Sequence, residues 1–314
     1  MSMFVIRDAQ APDYEAVATI HNLIYPEPVT ADHLRDRDAK LMQEPDVIVR
    51  RLVAVTPGGE VVGYGVSAHS RESTDASWYA WVGVHPDYRR QGAGQALADA
   101  LEANARAHGG QKLTSQCRGE DEAAFAWAQR QGFAQERQRT ESVLDLTTFD
   151  RSRFAGAVER AEASGLAFFV SQEVPAEMLR EVYETDLETG QDHPEFDGTT
   201  ITYEQWLRHR ERDTDPQVYV FAMDGGRIAG FSVVRLPTQP GEGAYTNYTC
   251  VRRQYRGRGV ALACKLLTID QVMARGVAHM RTNNNPENGP MLAVNAKLGY
   301  RLVPGPRLLV KVLG

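Results

Sequence analysis

Arg-Arg-Gln-Gly-Ala-Gly at residues 89–94 and Arg-Gly-Arg-Gly-Val-Ala at residues 256–261 are the two stretches whose residue types and spacing speak most directly of chemistry. In the first, Pro86 holds off helix formation, and Gly92 and Gly94 let the backbone turn tightly and come close to another object. Leu97 and Leu101 then fall on one helical face, so the stretch reads as a loop feeding a helix N-terminus. Such a terminus presents unpaired N–H groups and a partial positive charge, which suit a phosphate. A Walker-type loop requires Lys and then Ser or Thr after its last glycine, and neither stretch has them. A dinucleotide fingerprint requires a third glycine and opens the first strand–helix unit, whereas this corner falls in mid-domain. What remains is Arg-x-x-Gly-x-Gly/Ala, each time after a strand that closes Val84 to Tyr88 or Val251 to Tyr255. A single such corner could equally be a glycine turn before a surface helix.

The elements that must position these corners repeat. Gly58–Val66 (GGEVVGYGV) recurs as Gly225–Val233 (GGRIAGFSV), and the same offset of 167 residues carries Val84 to Val251, Arg89 to Arg256, Gly92 to Gly259, Gly94 to Ala261 and Gly132 to Gly299. A constant offset over about seventy residues marks two copies of one domain, expected at 1–147 and 152–314. Each copy reads as a strand, two helices, three meandering strands, the corner with its helix, a strand, a helix and closing strands. That order is an α+β plan and does not alternate strand and helix in the Rossmann manner.

Composition narrows the class. The 314 residues are 42% hydrophobic and 24% charged, as in a soluble globular protein, and the formal charge of -6 argues against a general nucleic-acid binder. Cys117, Cys250 and Cys264 are too widely spaced for a disulfide framework or a metal-ligand pattern. Charges by Arg7 and Asp8 come too early for a secretory signal, and no stretch approaches 18 uncharged apolar residues. The expectation is a cytoplasmic protein, monomer or homodimer, with no membrane, nucleic-acid or metal partner.

With two corners, each preceded by a hairpin and followed by Gly-Phe (132–133) or Gly-Tyr (299–300), nearly the whole chain resembles the GNAT N-acetyltransferase superfamily, in particular its tandem members such as mycothiol synthase. The resemblance implies two domains, each a mixed, mostly antiparallel twisted sheet flanked by helices. It also implies acetyl-CoA as cofactor and transfer of its acetyl group to an amine of a small molecule or peptide. Carried over, the pyrophosphate contacts are Arg89, Arg90, Gln91, Gly92, Ala93 and Gly94 after Val84, and Arg256, Gly257, Arg258, Gly259, Val260 and Ala261 after Val251. In the family the strand before the corner is usually broken by a β-bulge, which frees a backbone N–H for the thioester carbonyl. Trp78 and Trp81, like Tyr245 and Tyr248, are three apart and would face opposite sides of the sheet unless a bulge lay between them. Aromatics on both faces of a buried strand would read the same way.

The chain also departs from that pattern. Where many members carry a carboxylate on this strand it has Ala80 and Asn247, and where many carry a thiol-protonating tyrosine it has Ala128 and Asn295. Asparagine does not titrate, although it can hold a water or the substrate. The family's cofactor-contacting asparagine is matched by Asn288, against Asp121 in the first copy. At both chemical positions the second copy is polar and the first is alanine, so Asn247, Tyr248 and Asn295 are the candidate catalytic residues. Asn283 to Asn285 suit turn and capping chemistry. Acceptor recognition is expected from the segment before the hairpin, where Asp192, His193, Glu195 and Asp197 form either an amine-binding rim or a solvated loop. Cys250 is either near the thioester or simply core. Without a general base an α-amino group, with a reference pKa of about 7.7 to 8.0, fits better than a lysine side chain. The alternative is a non-catalytic acyl-CoA-binding or regulatory protein that kept the fold.

Overall fold

Within Val47–Val55 successive side chains are buried in opposite directions. Leu52 and Ala54 meet Leu97 and Leu101, while Val53 and Val55 meet Val17, Ile20 and Leu34. Because a strand alternates its side chains between faces, this pattern requires helices on both sides of the sheet. The computed structural model describes residues 4–25, 28–43, 47–70, 76–193, 196, 198–212, 215–239 and 241–314. In chain order the first repeat runs β1 (Val5–Asp8), α1 (Tyr14–Ile24), α2 (Ala31–Gln43), β2 (Val47–Val55), β3 (Val61–Ser70), β4 (Ser77–Val84), α3 (Ala93–Ala107), β5 (Lys112–Cys117), α4 (Glu122–Arg130) and β6 (Ala134–Asp145). After a short helix α5 (Ala157–Glu162) come β7 (Ala167–Ser171), α6 (Leu179–Gly190), α7 (Tyr203–Arg212), β8 (Gln217–Asp224), β9 (Arg227–Arg235), β10 (Ala244–Val251), α8 (Val260–Met273), β11 (His279–Asn284), α9 (Gly289–Leu298) and β12 (Arg301–Val312).

The chain folds into two compact units, Met1–Gln138 with Pro304–Gly314, and Arg139–Val303. Unit 1 has strand order β1-β2-β3-β4-β5-β12 and unit 2 has β6-β11-β10-β9-β8-β7. Neighbours are antiparallel except β4 with β5 and β10 with β11, which are parallel. Repeat and compact unit are therefore different divisions. The closing strand of unit 1 is β12, through Arg307–Val312 on β5, and that of unit 2 is β6, through Thr140–Asp145 on β11.

The parallel pairs are short. Ser77–Tyr79 pair with Lys112–Thr114 and Ala244–Tyr245 with Met280–Arg281, beyond which each pair of strands parts and opens a cleft in its sheet. The helix after each corner closes one face of that cleft. In α3, Ala93, Leu97, Leu101 and Ala105 recur at helical spacing and are at most 1% exposed. In α8, Val260, Cys264 and Leu266 play the same part against β8, β9 and β10. Truncating Leu97 to alanine would cost about 2–5 kcal/mol through the cavity left behind.

The exchanged strand yields a test. Ending the chain at Val303 removes Leu309 and Leu313 from the unit 1 core together with the ion pairs Lys311–Glu102 and Arg307–Glu122. Hydrogen–deuterium exchange should then quicken at Lys112–Cys117 and remain slow at His279–Asn284. Equal loss of protection in both strands would contradict this division of the fold.

Candidate active site

The two corners follow the same backbone path. Each strand ends in a short 3-10 turn, Pro86–Tyr88 or Arg253–Tyr255, and an extended Arg89 or Arg256 follows. The left-handed region is then entered twice, at Arg90 (φ 61°) and Gly92 (97°) in unit 1, and at Gly257 (77°) and Gly259 (80°) in unit 2. Alternation of this kind turns successive N–H groups to one side and makes a nest for an anion. Gly92 and Gly259 then start α3 and α8 with no side-chain cap. A Cβ built on either would meet nothing within 4 Å, so both face open space. Arg89 Nε and Arg256 Nε tie the corners to the strand ends, donating to the carbonyls of Val84 (3.2 Å) and Val251 (3.1 Å).

The strands leading to the corners differ. β4 pairs with β3 without interruption, and Trp78 and Trp81 pack on opposite faces, against Ala105 and against Tyr64. β10 breaks register between Thr246 and Tyr248, so Asn247 is an extra residue with no partner on β9. The expected bulge is thus present in unit 2 and absent from unit 1. It brings Tyr245 and Tyr248 to one face: the Tyr245 hydroxyl accepts from the Asn283 N–H (3.2 Å), and Tyr248 packs on Phe231 and shares a 3.0 Å hydrogen bond with Thr189 Oγ1. Burial pushes the Tyr248 phenol and the Cys250 thiol up from their ordinary values, and Cys250 is core.

Each unit holds a cavity. That of unit 1, about 430 Å³, fills the cleft between β4 and β5 and reaches Arg89, Arg90, Gly92 and Gly94. That of unit 2, about 310 Å³, lies on the α6 and α7 side of β10, lined by Asp186, Trp206, Arg210, Tyr219, Phe231 and Tyr248 among others. Asp186 accepts a hydrogen bond from Trp206 Nε1 (2.8 Å) through Oδ2, while Oδ1 is buried without a partner among the described residues. Burial raises this carboxyl to about 6, against the lowering effects of the Trp206 hydrogen bond and the Arg210 charge. The helix carrying it is clamped by Arg252, 4% exposed, which donates to Glu181 (2.9 Å), Thr185 (2.9 Å) and Glu188 (3.0 Å).

On the other side of β10, Thr246 faces the Tyr300 hydroxyl, and both amide atoms of Asn295 are buried without partners among the described residues. Nearby on α8, the Lys265 ammonium lies 5.2 Å over the Tyr300 ring, and burial lowers it to about 8.

The structure separates the residues singled out in the sequence. Gln91 turns back to the Asp87 carbonyl (3.0 Å), and the side chains of Ala93 and Val260 enter the core, so either of these two would meet a phosphate only through its backbone. Gly257 and Arg258 lie exposed on the corner, with Arg258 over the Tyr255 ring, and Ala261 is half-buried in the first turn of α8. Asn288 caps α9, accepting from the Met291 N–H, just as Asp121 caps α4. Of the asparagine run, Asn285 makes the turn, whereas Asn283 and Asn284 belong to β11. Asp192 does not form an amine rim: it pairs with Arg253 and Arg256, whose hydrogen bonds, Arg253 first, hold its carboxyl down at about 2. His193 is exposed beside it, and Glu195 and Asp197 lie outside the described residues. Asp186 and Arg210 escaped the sequence reading. An acid four residues after Val182, on the inward stripe of an amphipathic helix, was the signal available.

Both repeats match the family model of the acetyltransferase (GNAT) family, at residues 14–133 and 176–300, and the chain belongs to that family. The chain is an acetyl-CoA-dependent N-acetyltransferase of tandem type. It is 25% identical over 288 residues to a mycothiol acetyltransferase of Parafrankia sp., covering 84% of each chain, and 26% identical over 309 residues to that of Catenulispora acidiphila, covering 92% of this chain and 93% of the relative. In fold it is similar to a tandem GNAT protein from the clavulanic acid biosynthesis pathway (TM-score 0.81, 20% identity, 99% of both chains). It is also similar in fold to a GCN5-related N-acetyltransferase from Sphaerobacter thermophilus (0.68, 18%, 99% and 96%). No described helix is long and apolar enough to cross a membrane. Acetyl-CoA fits what the units offer: uncapped helix starts and nests for its pyrophosphate, and in unit 2 orphaned polar atoms beside the cleft.

Asp186 makes a stability prediction. Its pKa is raised on folding, so it imposes no cost below about pH 4, where it is neutral in both states; the cost builds as pH rises from about 4 to about 6 and is full above that. Asp186→Asn keeps an acceptor for Trp206 and removes that cost. The variant should be more stable than the parent at pH 8, by on the order of 2–3 kcal/mol at most, with the gain gone near pH 4. Thermal unfolding across that range is the check, and a pH-independent difference would count against a buried, unpaired carboxylate.

Proposed function

We propose that acetyl transfer takes place in unit 2, with unit 1 holding acyl-CoA without turning it over. The observation that carries this reading is the bulge at Asn247. In β10 it leaves backbone without a cross-strand partner, a donor of the kind that stabilises charge developing on a carbonyl oxygen. The unbroken β4, with Ala80 on the ladder and Ala128 buried below, offers no such group. Bound acetyl-CoA supplies the activated acetyl group. Asn247 is the exposed bulge residue, Tyr248 lines the cavity beside it, and Asn295 presents an amide with no partner among the described residues on the opposite side. Unit 1 has the open cleft, whereas in unit 2 Arg256 is held by Asp192, so phosphate and Asp192 compete for that guanidinium. The name of the curated relatives supports a small-molecule amine as acceptor, and three free cysteines suit a cytosolic setting.

Deleting Asn247 joins Thr246 to Tyr248 in regular register and should lower kcat by about 10²–10³-fold, the usual cost of one such donor, with CoA binding kept. Gly259→Glu should abolish turnover by filling the corner of unit 2, while Gly92→Glu leaves it largely intact. Circular dichroism establishes folding of each variant first. A dead Gly92→Glu beside an active Gly259→Glu would reverse the assignment of the units.

A further inference from the structure

The cavity of unit 2 presents one acid and one base that do not pair with each other. Asp186 Oδ1 is buried without a partner, and Arg210 has no acidic partner among the described residues. The guanidinium carbon lies 5.1 Å from the Trp206 ring centre and 5.6 Å from that of Tyr219, and the group donates to the Tyr219 hydroxyl at 3.1 Å. These contacts hold the guanidinium in place and use one of its five N–H donors. The remaining walls are apolar: Val182, Phe231 and Val233. Tyr248, the residue after the bulge, is part of the wall on the β10 side, so the cavity adjoins the bulge.

We propose that this cavity is the acceptor subsite and that it takes a zwitterion of the α-amino-acid type with an apolar side chain, its ammonium on Asp186 Oδ1 and its carboxylate on Arg210. The proposal rests on the assignment of catalysis to unit 2. A simple cation would leave Arg210 facing like charge, and a neutral amine would leave the buried carboxylate with only the Arg210 charge and the Trp206 hydrogen bond to offset its burial. A zwitterion answers both groups at once. Size agrees, since about 310 Å³ is room for roughly ten water-sized groups. The raised carboxyl of Asp186 follows from the same burial, and an ammonium held against it would restore its charged form. Besides Arg210, the titratable groups facing Asp186 are Tyr219 from β8 and Tyr248 and Cys250 from β10.

Binding is measured without acetyl-CoA, by calorimetry and by the fluorescence change of Trp206, with Trp206→Phe as the control for the other tryptophans. The probes are L-leucine, L-methionine and L-phenylalanine, each beside its amide, which lacks the carboxylate, and its deaminated acid, which lacks the ammonium. The amino acids should bind, and each analogue should bind about ten- to a hundredfold more weakly, the worth of one charged hydrogen bond. Asp186→Asn should erase the preference over the deaminated acid and Arg210→Met the preference over the amide. The ligand panel on the unaltered protein needs no variant to fold. Absence of binding by all three amino acids, or equal binding of amino acid and amide, overturns the proposal. Acetylation of an amino acid by Gly259→Glu protein would remove catalysis from unit 2 and with it the acceptor role of this cavity, whereas the calorimetric preference for the zwitterion is read separately from turnover. Turnover of a different amine that requires Gly259 would leave catalysis in unit 2 and remove the acceptor subsite.

Discussion

The second site hangs on one buried cation. Arg252, the residue after β10, lies almost wholly out of water, and an unpaired guanidinium there would cost several kcal/mol. Its partners all come from α6, at Glu181, Thr185 and Glu188, so satisfying the charge fixes the helix over the strand. Thr189 on the next turn then reaches Tyr248, Asp186 enters the cavity, and Asp192 beyond the helix end meets Arg253 and Arg256. At the matching place in the first repeat stands His85, whose ring accepts from the Asp87 N–H and lies beside the Tyr88 ring in the turn that follows. The residue that follows the strand thus ties it to its covering helix in the second copy and to the turn in the first.

The copies have kept the phosphate corner and diverged around it. Arg90 holds a left-handed conformation that Gly257 adopts freely, at a cost of about 1 kcal/mol or more for a residue with a Cβ. That strain persists in the unit whose strand is regular. The backbone path of an anion nest is therefore common to both units, whereas the bulge is found in β10 and not in β4.

Much of the fold was legible because its signals are local. Glycines at fixed spacing, the Pro-Gly-Gly hairpin and apolar residues four apart on α3 each report a conformation that neighbouring residues decide. The bulge could be anticipated from two tyrosines three apart, but the same spacing in Trp78 and Trp81 goes with a regular strand, so the pattern alone did not discriminate. The ion pairs of Asp192 leave no local signal, because its partners are more than sixty residues away in the chain. Asp186 looked like one more acid on a charged helix, and only packing shows that it points inward. The trading of closing strands left no local signal, since the partner of β6 or β12 is chosen by residues far away in the chain.

That trade has a consequence for how the protein is made. Domains generally fold as they leave the ribosome, the N-terminal one first, at about 5–20 residues per second. Here β5 waits for β12, which is synthesised roughly ten to forty seconds later, after every strand of unit 2. During that interval the nascent chain carries an open parallel-sheet edge, the kind of surface that pairs with other chains or recruits chaperones. Unit 2, whose strands β6 to β11 emerge in one run, has no such wait. The half of the molecule made first is completed last.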